Sequence, residues 1–141
     1  MSQKNGVWVP QLKSFNYVES MAKDESKFWT EVKKNISEIS FTRLESWASA
    51  GVPDLLCYNE NNKFFTIELK VVKRGKITFS PHQIAFHIKH PHNTFILAKA
   101  LGPLAIKLYA GKDIMRLVNR EPVSPIAESW TAIQEIFVNV S

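Results

Sequence analysis

Asp54, Glu68 and Lys70 are the residues of this chain whose types and spacing can do chemistry together. Thirteen residues separate Asp54 from Glu68 and divide as a short hairpin would. The apolar run VPDLLCY at 52–58 is followed by the polar turn NENN at 59–62 and a second run, FFTIELKVV, at 64–72. If the two runs pair, the two carboxylates come within several ångströms of each other and can share one hard cation. Mg²⁺ takes few protein carboxylates and keeps several waters, one of which can become an attacking hydroxide. Lys70 lies two residues beyond Glu68 on the same strand face, about 6–7 Å away, where it can orient that water or neutralise a phosphate under attack. Each piece alone has a plain structural explanation, since Asp after Pro occurs in turns and Glu-x-Lys on a strand is commonly a solvated ion pair. The combination is rarer: Phe65, Ile67, Leu69 and Val71 make one face of the strand apolar, and the charges sit on the other.

The elements around this hairpin have to hold it. Ser80, Pro81 and Gln83 give an N-cap, a proline at the first helical position and a glutamine completing a capping box, so a helix is expected over 81–89, stopping before Pro91. The basic turn Lys73-Arg74-Gly75-Lys76 would bring that helix start alongside the sheet end, where anions bind well. Upstream, Phe28, Trp29, Val32 and Ile36 recur at helical spacing, and Asp24 and Glu25 suit a helix N-terminus, which predicts a helix over 25–34. Ile39, Phe41, Thr42 and Leu44 read as a strand followed by a turn over 46–51. FILAKA at 95–100 and AIKLY at 105–109 read as two more strands about a Gly102-Pro103 turn. A last helix is expected to begin at Ser124-Pro125, with Ile126, Trp130, Ile133 and Phe137 as its apolar stripe. Residues 1–19 show no clear period and are expected to form an arm packing on the body or on a second subunit.

Length and composition bound the class. The 141 residues suit a single domain over 1–141, and 45% hydrophobic with 22% charged residues is ordinary for a globular protein. No apolar stretch approaches the ~20 residues of a membrane span and the N-terminus lacks a secretory h-region, so a cytoplasmic protein is expected. The single cysteine, Cys57, has no partner for an internal disulfide or a thiolate zinc site and is expected in the core. The formal charge is +5, but nine of the basic residues fall between Asn61 and Lys112, where Glu68 is the only acid. A basic face around one carboxylate suits a polyanion-binding surface with a built-in cation site; a solubilising surface is the plainer alternative. His82, His87, His90 and His92 cluster without a cysteine or carboxylate nearby and read as a surface group rather than a zinc site. Trp29 fits the helix core stripe, and Trp47, in the loop before Asp54, is a weak candidate for stacking on a base.

GVPD at 51–54 and IELK at 67–70 resemble the PD-(D/E)XK phosphodiesterase superfamily. The stretch from Glu25 through ESKFW, TRLESW, GVPD, IELK and SPHQ to ILAKA is similar to the short VRR-NUC and Holliday-junction-resolvase-like proteins often encoded by phages. The resemblance implies an α/β, restriction endonuclease-like mixed β-sheet with an αβββαβ core flanked by helices. It implies Mg²⁺ or Mn²⁺ held by Asp54, Glu68 and the main-chain carbonyl of Leu69, with Lys70 aiding hydrolysis. It also implies a further acid on the first helix, for which Glu25 is the choice and Glu31 the fallback; a helix N-terminal acid favoured by the dipole explains Glu25 equally well. Gln83 corresponds to a glutamine near the scissile phosphate, besides its capping-box reading. Lys73, Arg74 and Lys76 are expected on the DNA, as is Arg43, unless Arg43 simply pairs with Glu45. The activity implied is metal-dependent DNA cleavage, most specifically branched-DNA or Holliday-junction resolution by a homodimer. A linear-duplex or restriction-type nuclease and a non-catalytic nucleic-acid-binding module of the same fold are the alternatives.

Overall fold

The computed structural model describes residues 2–4, 7–9, 12–44 and 50–141, with side chains from Lys23 onward. Strands β1 (Ser2–Lys4) and β2 (Val7–Val9) pair antiparallel as a small hairpin. Helix α1 follows over Leu12–Asn35, then β3 (Ser40–Arg43), β4 (Leu55–Tyr58) and β5 (Phe64–Lys73). Helix α2 (Pro81–Lys89) leads to β6 (Thr94–Leu101) and β7 (Ala105–Ala110), and the chain closes with α3 (Ile114–Val118) and α4 (Trp130–Val138).

The main sheet has the order β3-β4-β5-β6-β7, with β5 at its centre. The first three strands run antiparallel to their neighbours, and β5 and β6 are parallel, joined through α2 as a parallel pair requires. From α1 through β6 the order is the αβββαβ core that the resemblance implies, in a mixed sheet with helices on both faces.

Alternation on β5 assigns the two faces. Phe65, Ile67 and Leu69 point to one side, where they meet Phe28, Val32 and Ile36 of α1 and Ile133 and Phe137 of α4 in the larger core. Five of these side chains (Phe28, Val32, Ile67, Ile133 and Phe137) are fully buried, each contributing roughly 1.5–3 kcal/mol of transfer free energy. Val72 points to the opposite face and joins Ile96, Ala98, Tyr109 and Ile114 in a second cluster, walled by Ile84 of α2 and Leu117 and Val118 of α3. The face that carries Glu68 and Lys70 is therefore closed beyond Lys70 by a second apolar layer. Asn59 ties the hairpin turn to the end of α4: its Nδ2 donates to the Phe137 and Val140 carbonyls, which no helical turn would satisfy.

Four expectations need correction. Helix α1 is 24 residues long and starts at Leu12, not near residue 25, because nothing after Pro10 breaks a helix before residue 35. Residues 12–19, which show no clear period in the sequence, therefore belong to α1, and Ser2–Lys4 and Val7–Val9 form two paired strands. The second sheet run starts as a strand at Leu55, three residues later than Val52. The last helix begins at Trp130, with Ser129 as its cap accepting from the Ala132 N–H. Residues 126 and 127 instead bond to Leu108, covering the outer edge of β7 and leaving Ile126 45% exposed rather than on the helix stripe. Cys57 is in the core as expected, and burial pushes its thiol pKa up.

Candidate active site

A difference in strand length creates the site. Strand β4 has 4 residues and β5 has 10, and their pairing ends where Leu55 meets Ile67. Beyond Ile67, no described strand lies opposite β5 on that side. Asp54, the residue before β4, takes the next position: its Oδ2 accepts the Leu69 N–H at 2.7 Å. A residue in a strand turns its N–H and C=O to the same side, so the Leu69 carbonyl also faces the gap that Asp54 occupies. The Asp54 carbonyl in turn accepts from the Leu44 N–H at 2.8 Å, which extends the β3–β4 ladder by one step and fixes the loop carrying the carboxylate.

Glu68 sits beside Asp54 with 1% of its surface exposed. Its pKa is pushed up to about 10, first by burial and then by a hydrogen bond to, and repulsion from, the Asp54 carboxylate; Lys70 opposes the rise. Burial and the neighbouring Asp54 carboxylate thus favour the protonated form of the Glu68 carboxyl.

Gln83 joins the remaining groups. Its Nε2 donates to Glu68 Oε1 at 2.9 Å, and its Oε1 accepts from Lys70 Nζ at 2.9 Å and from the Ser80 N–H at 3.0 Å. The capping box is complete, as Ser80 Oγ accepts the Gln83 N–H. The two readings of Gln83 thus hold at once, because one amide caps α2 and bridges Glu68 to Lys70. Lys70 Nζ also lies 5.0 Å from the centre of the Phe79 ring, a cation–π contact that limits where the ammonium can go.

Close packing sets the position of α2. Gly51 has φ +82°, and a Cβ there would lie 2.5 Å from the His82 carbonyl oxygen, so only glycine lets the loop before Asp54 touch the first turn of α2. His87, one turn after Gln83, is fully buried with Nδ1 2.8 Å from the Gln83 carbonyl, and burial lowers its pKa. It is therefore a packing residue of α2 and not part of a surface group, whereas His82, His90 and His92 are exposed.

Glu25 lies on α1 within electrostatic reach of the pair. Its pKa is raised by burial and by Asp54, against the lowering effect of Lys70 and Arg43. It stands in the second half of α1, so the helix N-terminal explanation of this acid does not apply. Glu31 is engaged by Lys99 instead. Arg43 is exposed at the end of β3 on the side of Glu25, while Glu45 and Trp47 lie outside the described residues. Lys73 pairs with Asp24 at 3.0 Å, and Lys73, Arg74 and Lys76 line a cleft beside Lys70. The structure thus gathers Asp54, Glu68, Leu69, Lys70 and Gln83 by direct contact and ranges Glu25, Arg43 and the basic turn around them. Sequence reasoning missed Asp24, whose pairing with Lys73 was hidden by placing the helix start at that residue, and Gly51, whose glycine in GVPD was a signal in view.

The donor set suits a hard divalent cation. Two carboxyl groups in contact and a main-chain carbonyl turned to the same side are all oxygen ligands, and the buried Glu68 carboxyl beside Asp54 is a place where positive charge is stabilising. Among the described residues no three Asp, Glu, His or Cys side chains gather closely enough to hold a metal ion by themselves. The fit is to an ion such as Mg²⁺ that takes one or two carboxylates and fills its remaining positions with water.

No protein-family model matches the chain, and no curated protein is similar to it. Among solved structures it is similar to Hjc, a Holliday junction resolvase from Archaeoglobus fulgidus, at 17% sequence identity and a TM-score of 0.46, over 64% of this chain and 75% of that one.

Proposed function

We propose that this chain is a nuclease domain over residues 1–141 that hydrolyses phosphodiester bonds in DNA with Mg²⁺ or Mn²⁺. The observation that carries the reading is the Asp54–Glu68 carboxyl pair, nearly buried, fastened to the Leu69 peptide and linked through Gln83 to Lys70. Without a ligand to neutralise it such a pair is costly, and a cation held by Asp54, Glu68 and the Leu69 carbonyl supplies that charge. When bound, the cation polarises the phosphate and lowers the pKa of a bound water.

The chain's own groups do the rest. Asp54 is held rigid by the Leu69 N–H, so one ligand is oriented before anything binds. Lys70, steered by Gln83 and Phe79, points its ammonium to the same pocket and stabilises charge that develops on the phosphate oxygens. Gln83 keeps Glu68 and Lys70 apart as hydrogen-bonded partners of one amide, so neither is consumed in a direct ion pair. Glu25 and Arg43 flank the entrance, one as an additional acid near the cation and the other as a phosphate contact. Of the DNA substrates, branched junctions are the favoured class, because GVPD at 51–54, IELK at 67–70 and the stretch around them resemble junction resolvases. Two symmetric cuts then call for a C₂ homodimer.

The test is a substrate panel of a four-way junction, a flap and a linear duplex, each with and without Mg²⁺. Cleavage of the junction in preference to the others, only with metal, is expected. Equal cutting of linear duplex replaces the resolvase reading with a general nuclease. Binding without cleavage in either Mg²⁺ or Mn²⁺ overturns the enzyme reading in favour of a binding module.

A further inference from the structure

The same mismatch of strand lengths leaves a second feature next to the carboxylates. Past Leu69, no described strand covers the edge of β5, and between it, α1 and the turn after β5 lies a cleft of about 360 Å³. The Val71 peptide faces that opening with one N–H and one C=O, since Val71 is in phase with Leu69 and no described strand lies opposite. Ile77 forms an apolar wall, Lys73, Arg74 and Lys76 stand at the rim, and Asp24 and Glu25 of α1 also line the cleft, so its four basic residues, Lys70 included, outnumber its two acids. Asp24 holds Lys73 in place at 3.0 Å, while neither Arg74 nor Lys76 makes an ion pair with any described residue. Arg74 has φ +63° and Gly75 φ +71°, which makes the turn after β5 tight and sets Arg74 and Lys76 at the mouth of the cleft.

The cleft is too large for a phosphate alone. Its volume falls at the lower end of pockets that take small organic ligands, about 300–1,000 Å³, and it combines an apolar wall, a strand-edge peptide without a partner among the described residues and a basic rim. Those three features match the three parts of a nucleotide: a base face, a base edge and a phosphate. In a stacked duplex each base face is covered by its neighbours, so an apolar wall can pack on a base face only where the strand is unstacked. We propose that this cleft is a subsite for one unstacked nucleotide adjacent to the phosphate being cut. Arg74 and Lys76 take its phosphate, Ile77 packs on its base, and the Val71 peptide bonds to the base edge. The proposal rests on the nuclease reading and narrows the substrate to DNA whose strand is distorted at the cut, as at a branch point.

The experiment has two arms on the full chain in EDTA. In the first, thymidine 5′-monophosphate, inorganic phosphate and thymidine are titrated by calorimetry. The nucleotide is expected to bind at least ten-fold more tightly than either fragment, and the exposed-residue variant Arg74→Ala/Lys76→Ala to lose about ten-fold with an unchanged thermal midpoint. Equal binding of phosphate and nucleotide, or no binding of either, overturns the subsite. In the second, a four-way junction carrying 2-aminopurine next to the branch is mixed with the protein; a several-fold rise in fluorescence is expected, and an unchanged signal in a formed complex overturns the proposal. Metal-dependent cleavage without nucleotide binding rejects the subsite and leaves the nuclease reading standing. Nucleotide binding without cleavage supports the subsite and rejects the nuclease reading.

Discussion

Burial and the Asp54 carboxylate raise the Glu68 pKa, and this has a measurable consequence for stability. In the unfolded chain its carboxyl titrates near the ordinary glutamate value, whereas in the metal-free fold it keeps its proton up to about pH 10. Between those values the folded state binds more protons than the unfolded state, so metal-free stability falls as pH rises from about 4.5. Glu68→Gln keeps the shape, supplies a permanent donor to Asp54 and removes the titration. Denaturant unfolding in EDTA is therefore expected to show the variant about 1–3 kcal/mol more stable than wild type at pH 8, and nearly equal to it at pH 4.5. A variant less stable than wild type at pH 8 would contradict the burial account. The roles of Asp54, Glu68 and Lys70 were readable as candidates because alternation on one strand and a hairpin-length gap bring them together by geometry alone. Gln83 was readable through its capping box. Glu25 was chosen partly for a helix start that lies elsewhere; its nearness to Asp54 comes from tertiary packing of α1 on the sheet, which local periodicity does not encode.

At the scale of elements, the decisive contact is between the loop before β4 and the first turn of α2. Gly51→Ala places a methyl 2.5 Å from the His82 carbonyl oxygen and forces a side chain into φ +82°, so α2 must move away, taking Gln83 with it. The expected loss is about 2 kcal/mol of stability or more, from the left-handed backbone and the displaced helix start, together with a fall in cleavage. Combining the change with Gln83→Ala distinguishes the two effects. If Gly51 acts on cleavage through Gln83, the double variant cuts no more slowly than Gln83→Ala alone while still showing the stability loss. Additive losses in cleavage would show that the loop matters by another route. Helix α2, β5, β6 and β7 were legible to within a residue or two, since their alternation and caps are local. The first half of α1 was not, because Ser, Asn and Tyr there blur the period, and α3 was not, because five residues are too few to show one. The late start of α4 reflects competition between a Ser-Pro start signal and hydrogen bonds to the edge of β7, which only the assembled sheet reveals.

Over the whole molecule, the basic turn Lys73-Arg74-Gly75-Lys76 and the carboxylate pair lie along the part of β5 that continues past the end of β4. The charge pattern along the chain shows the basic residues but not the acids that meet Glu68, and the cleft beside β5 depends on strand lengths that pair only in three dimensions. Among the described residues no helix is long and apolar enough to cross a membrane. The central claim is that Asp54 and Glu68 hold a cation that cuts DNA, and a single-turnover comparison of wild type and Asp54→Asn on a four-way junction in Mg²⁺ tests it most directly. Asp54→Asn keeps a carbonyl oxygen to accept the Leu69 N–H but removes the charge, so the account predicts a cleavage rate lower by at least about 100-fold with junction binding retained. Cleavage by the variant at the wild-type rate would contradict it.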